Sequence, residues 1–102
     1  MPPREVHAPK GGYKGKHKIY STVKRAWDKL CQARPGPMRT CYIEIADNPF
    51  PPGHQRRHHQ LKGNLKGIWQ YEVGGGERVW YKPGPDGQPI VTYAGSAPPA
   101  TH

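Results

Sequence analysis

At 102 residues the chain has material for one small domain and no second core, and 33% hydrophobic content against 13 Gly and 13 Pro makes part of it loop or tail. Sixteen Lys and Arg against seven Asp and Glu leave a net charge of +9, which six histidines can raise below neutral pH, so the natural partner is a polyanion: nucleic acid, an acidic protein or an anionic surface. No apolar run approaches the roughly 18 residues of a membrane span, the Pro-rich start lacks a secretory apolar core, and Cys31 and Cys41 form no CxxC pair, which together point to a soluble cytoplasmic protein with reduced thiols.

Residues 1–13, MPPREVHAPKGGY, carry Pro, Gly and cations without periodicity and read as a flexible basic arm, leaving 14–102 as the folded domain. Lys16 to Tyr20 alternates weakly and is a candidate first strand, with Ser21 as N-cap of a helix directly after it. Val23, Ala26, Trp27, Leu30 and Cys31 recur at three- and four-residue steps and mark one face of that helix through about Ala33. The run from Arg34 to Pro37 breaks it. A second helix is predicted to begin near Pro37, because Met38, Cys41, Tyr42 and Ile45 share a face, and Asn48-Pro49 ends it. These two helices form an antiparallel hairpin with one apolar stripe to bury.

From Phe50 to Gly67 there is no acid, but there are Arg56, Arg57, Lys62, Lys66, His54, His58 and His59. Three strand-like segments come next, at Ile68 to Val73, Arg78 to Lys82 and Ile90 to Tyr93. They are separated by a glycine triplet at 74–76 and by the turn residues 83–87, the punctuation of an antiparallel meander. Alternation sets Trp69, Tyr71, Val73, Val79 and Tyr81 toward the helices and leaves Arg78 and Trp80 on the other face. His54 and His58 would need a helix to share a metal, and the Pro51-Pro52-Gly53 run argues for loop, so no metal or other cofactor is expected.

In order and spacing the segments Asn48-Pro49-Phe50, Leu61-Lys62-Gly63-Asn64-Leu65, Gly67-Ile68-Trp69 and Arg78-Val79-Trp80-Tyr81, with the helix run Trp27 to Leu30, resemble the RelE/ParE toxin superfamily. They are most similar to its YoeB-like messenger RNA interferase branch, over roughly residues 16–102. The resemblance implies an α+β fold, two N-terminal helices packed on a twisted antiparallel sheet of three to four strands. It also implies the toxin of a toxin-antitoxin system, a metal-independent endoribonuclease that cuts messenger RNA on the ribosome through attack by the 2′-hydroxyl, with a cognate antitoxin as partner. Arg78 matches the arginine that contacts the scissile phosphate. The branch's glutamate base stands three residues before the lysine of its LKG motif, where this chain has His59, with His58 beside it as a helper. The branch's C-terminal histidine finds its only counterpart in His102, a candidate general acid.

Arg56, Arg57, Lys62 and Lys66 are the candidates for neutralising RNA phosphates, and Trp80 and Tyr93 for stacking on bases. Each has a plainer reading. The cations can be a solvated loop, Arg78 can pair with Glu72 or Glu77 across the strands, the aromatics can be sheet core, and His102 can be a frayed end. At the level of function, the alternatives are a non-enzymatic poison of DNA gyrase, as on the ParE side of the superfamily, or a basic RNA-binding module without catalysis.

Overall fold

The structure, a computed structural model, describes residues 3–6, 8–9, 17–51, 57–85 and 87–96. In chain order it contains β1 (Arg4–Val6), β2 (His17–Ile19), α1 (Ser21–Ala33), α2 (Pro35–Asp47), β3 (His58–Gln60), a 3-10 turn (Gly63–Leu65), β4 (Trp69–Gly74), β5 (Glu77–Pro83) and β6 (Pro89–Gly95).

The helices arise from their stripes. In α1 the residues that reach the core are Trp27 and Leu30, with Val23 and Cys31 packed against its margin. Tyr20, not Ser21, is the N-cap, and its carbonyl accepts the Val23 and Lys24 N–H groups. The second helix begins two residues earlier than the stripe alone indicates, at Pro35, because proline's fixed φ and missing N–H cost nothing in a first helical turn. Met38, Cys41, Tyr42 and Ile45 are its buried face. Asn48 closes it through a backbone bond to the Glu44 carbonyl.

The sheet has six strands in the order β1-β2-β6-β5-β4-β3, where three to four antiparallel ones were expected, and β2 runs parallel to β6. The meander β4-β5-β6 is as predicted. At its margins lie three-residue strands: β2, the first strand expected within Lys16 to Tyr20, lies beside β6, while the additions, too short to carry a period, are β1, which pairs with β2, and β3, which pairs with β4. Arg4–Val6, within the stretch expected to be an arm, is thus the outermost strand. The Tyr42 hydroxyl holds it, donating to the Val6 carbonyl at 2.6 Å and accepting the His17 N–H at 3.2 Å.

Both helices cover one face of the sheet, α1 over β6 and α2 against β4. Between the layers lies a core of Ile19, Trp27, Leu30, Met38, Tyr42, Ile45, Tyr71, Val79, Tyr81 and Val91, most of them with no more than 2% of their surface exposed. Each such large apolar side chain contributes about 1.5–3 kcal/mol by leaving water. That core fixes which face of every strand points inward, and with it which residues are left on the helix-free face. No helix among the described residues is long and apolar enough to cross a membrane.

Candidate functional site

Strand register decides which of the sequence candidates share a surface. Across β4 and β5, Trp69 faces Tyr81, Gln70 faces Trp80, Tyr71 faces Val79 and Glu72 faces Arg78. Because Tyr71, Val79 and Tyr81 are in the core, Gln70, Glu72, Arg78 and Trp80 lie on the helix-free face. The same logic extends to β3, where His58 pairs with Tyr71 and His59 with Gln70. The two adjacent histidines therefore point to opposite faces.

His58 is a core histidine. It is 7% exposed and packs edge-on to Tyr71 and Trp69 and tilted against Tyr81. Its Nε2 meets the Tyr81 hydroxyl, which donates its one proton to the Pro49 carbonyl. The imidazole must then donate Nε2–H to the phenol oxygen, which fixes the tautomer and leaves the lone pair on Nδ1. Burial pulls its pKa below the ordinary histidine value, against smaller upward pulls from Glu44 and the Pro49 carbonyl, so the ring is held neutral. The helper role expected for His58 does not fit this placement, since the sheet separates it from Arg78.

His59, half-buried, stands on Arg78's face. Two strand spacings and two residues of rise separate their Cα atoms, about 12 Å, a gap an arginine side chain and one bound nucleotide can bridge. Arg78 is itself half-buried, and its Nε is enclosed without a hydrogen-bond partner. Of the two carboxylates that might have neutralised it, Glu77 is engaged by the Arg34 guanidinium at the helix junction. A buried N–H without a partner costs about 1–3 kcal/mol, which an anionic acceptor would relieve.

The remaining candidates are unequally placed. Arg57, Lys62 and Lys66 are exposed around β3 and the 3-10 turn, and the Arg57 carbonyl accepts the Glu72 N–H at 2.7 Å. Trp80 shares Arg78's face as expected, but it is only 5% exposed. Its indole N–H donates to Gln70 Oε1 at 2.9 Å and its ring leans on Tyr93, centroids 5.7 Å apart, so it is a floor and not an open platform. Tyr93 is half-buried. Its hydroxyl folds back along β6 to Gly95, the residue opposite Arg78, where a Cβ would sit 3.0 Å from it. Arg56 and His102 lie outside the described residues. Gln70 and Lys82 also belong to this face and were missed as candidates, although steps of two from Arg78 reach Trp80 and then Lys82. Among the described residues no three His, Cys, Asp or Glu side chains converge as metal ligands.

No protein-family model and no curated protein sequence matches the chain. Solved structures do. A copper-bound point mutant of a toxin from Helicobacter pylori superposes with a TM-score of 0.58 at 19% identity, over 76% of this chain and 89% of that one. The RelBE2 toxin-antitoxin complex of Mycobacterium tuberculosis gives 0.47 at 18% identity, over 78% and 93%. At such identities the likeness is one of fold alone, and the chain is built on the fold of this Helicobacter toxin.

Proposed function

We propose that the chain is the toxin of a toxin-antitoxin pair and that it acts as a metal-independent endoribonuclease on messenger RNA at the ribosome. The observation that carries this reading is the shared face: Arg78, with an unpartnered buried Nε, and His59 two strands away both project from the side of the sheet the helices leave uncovered. In the reaction, the substrate 2′-oxygen bonds to the adjacent phosphorus as its proton passes to the imidazole of His59. The Arg78 guanidinium donates to the non-bridging oxygens, where negative charge accumulates. The bond from phosphorus to the 5′-oxygen then breaks. That oxygen takes a proton from a general acid, the role assigned to His102, leaving a 2′,3′-cyclic phosphate and a free 5′-hydroxyl. Arg57, Lys62 and Lys66 supply the field that holds the polymer. The same cations are the surface an acidic antitoxin segment would cover.

The test is cleavage of messenger RNA on purified ribosomes by wild type, Arg78→Ala and His59→Ala. Loss of one fixed cationic donor is expected to slow cleavage by about 10²–10³-fold, with cyclic-phosphate ends on whatever product remains. Undiminished cleavage in Arg78→Ala refutes the assignment. Inhibition of gyrase supercoiling with no RNA cut establishes the ParE-like reading in its place.

A further inference from the structure

Strand β5 carries a third residue on the helix-free face. Alternation that brings out Arg78 and Trp80 also brings out Lys82, four residues beyond the arginine and about 13 Å from it along the strand. Lys82 is half-buried, and its Nζ lies 5.5 Å from the centroid of the Tyr20 ring. Tyr20 comes directly after β2, and because Ile19 points into the core, Tyr20 and Lys18 both face the open side. The phenol ring localises an ammonium that would otherwise sweep through many rotamers, so a ligand meets a cation already in position.

Among the described residues of this row no carboxylate stands beside that charge. In register, Lys82 faces the buried, apolar Ile90 on β6, which in turn faces Lys18 on β2, which faces Glu5 on β1. The nearest carboxylate in this row is thus three strands away, about 14 Å, with a second cation in between. Lys18 has interactions of its own and sits beside Glu5, so Lys82 is the more available of the two lysines. Between Lys82 and Arg78 the face is floored by Trp80 and Tyr93. Two cations on one line with a closed aromatic floor between them match one strand of nucleic acid, with phosphates at the ends and the intervening sugar crossing that floor.

We propose that Lys82, held over Tyr20, is a second phosphate-binding position for single-stranded RNA, engaging the backbone about two nucleotides from the phosphate that lies at Arg78. This rests on the reading of Arg78 given above, and it assigns the substrate a direction along β5.

The test measures binding without cleavage. Fluorescence anisotropy is recorded for all-2′-O-methyl RNA of two, four and eight nucleotides, which lacks the attacking hydroxyl, against wild type, Lys82→Ala, Lys82→Arg and Tyr20→Leu. Circular dichroism checks the fold of each variant. Lys82→Ala is expected to weaken the eight-nucleotide ligand by about fivefold and to reduce the salt slope of log affinity by about 0.7, the value of one phosphate contact on a single strand. It should leave the dinucleotide unaffected. Lys82→Arg should restore the longer ligand, and Tyr20→Leu should show a smaller loss in the same direction. Equal affinity and slope in Lys82→Ala overturn the proposal, as does an equal loss on the dinucleotide, or tighter binding of duplex DNA than of single strands through Lys82. Because nothing is cut, the two readings fail separately. A Lys82-dependent length effect in a protein that cleaves no RNA upholds the subsite and removes the nuclease, and cleavage without that effect does the reverse.

Discussion

Replacing Tyr81 with Phe removes one oxygen atom and, with it, the junction of three elements. The Tyr81 hydroxyl on β5 donates to the Pro49 carbonyl after α2 and accepts from His58 Nε2 on β3. Its own exposure is 0%, and His58 is at 7%, so water cannot readily take its place. Both partners are left with unmet polar atoms; a buried unsatisfied group costs about 1–3 kcal/mol, and because Pro49 is only half-buried its share falls at the low end, which sets the total loss at about 2–4 kcal/mol. For a domain of this size that corresponds to a melting temperature lower by about 10–20 °C. The control is one rung along on the neighbouring strand. The Tyr71 hydroxyl donates to Glu44 Oε2, but Glu44 is exposed and its carboxylate stays hydrated when the phenol is lost. Tyr71→Phe should therefore cost no more than about 1 kcal/mol. Urea denaturation of both variants beside wild type, monitored by tryptophan fluorescence, measures the difference. If Tyr81→Phe costs no more than Tyr71→Phe, the hydroxyl does not anchor β3 and the account of His58 as a core residue fails.

Three further outcomes are expected from the same packing. Since burial lowers the His58 pKa, the folded state binds fewer protons than the unfolded chain, whose histidine titrates near about 6.5. The stability from holding it neutral is full above that pH and is lost as pH falls through the lower native value. Urea midpoints should thus drop on acidification, and less steeply in His58→Gln, which keeps a side-chain N–H for Tyr81. At the β4-β5 turn, Gly75 has φ +58°, and a Cβ there would stand 2.6 Å from Arg34 Nη2, so Gly75→Ala must strain the backbone and push Arg34 off Glu77. A loss of about 1–2 kcal/mol is expected for the left-handed conformation, with only part of any further loss persisting in an Arg34→Ala background, which a double-mutant cycle by thermal melting reads directly. Finally, burial first and Asp28 second push the Cys31 thiol up to about 11, and Cys41 is buried completely. Ellman's reagent at neutral pH should react with Cys31 about a hundredfold more slowly than with an ordinary thiol, faster in Asp28→Asn, and with Cys41 only on unfolding.

The helices and the meander were legible because their periods are long enough to count: two helices of 13 residues each, and strands of six or seven separated by glycine turns. Strands of three residues carry little such signal: weak alternation marked β2, but β1 and β3 left none. In β3, His58-His59-Gln60 is polar throughout, so nothing in the sequence says which residue turns inward. The resemblance to a toxin family brought His59 and Arg78 forward, and the fold puts both on one face. It did not separate His58 from His59, because that depends on pairing with Tyr71 across β4. A second miss has a different cause. Alternation assumes a wet outer face, whereas Trp80, Gln70 and Ile90 are at most 9% exposed there. Part of the cover is the β5-β6 turn, which approaches Ile90 so closely that a Cβ on Gly84 would lie 2.9 Å from Cδ1. Turn packing of this kind depends on where the chain folds back, which local composition does not encode.

The placement of His59 is set by its neighbour. A register slip of one residue in β3 would send His58 outward and His59 into the core, and a strand joined by three residue pairs does little on its own to resist that slip. The asymmetry of the two environments resists it. Inside, the ring at position 58 finds three aromatic neighbours and a phenol oxygen whose own proton is already committed to Pro49. At the two ends, the Arg57 carbonyl accepts from Glu72 and the Leu61 N–H donates to the Ile68 carbonyl at 2.8 Å, so both flanks are tied in the same register. A neutral imidazole with one fixed donor nitrogen satisfies that inner site, while a charged or apolar residue would not. Two adjacent histidines thus divide into one that locates the strand and one that the strand presents beside Gln70, on the row next to Arg78.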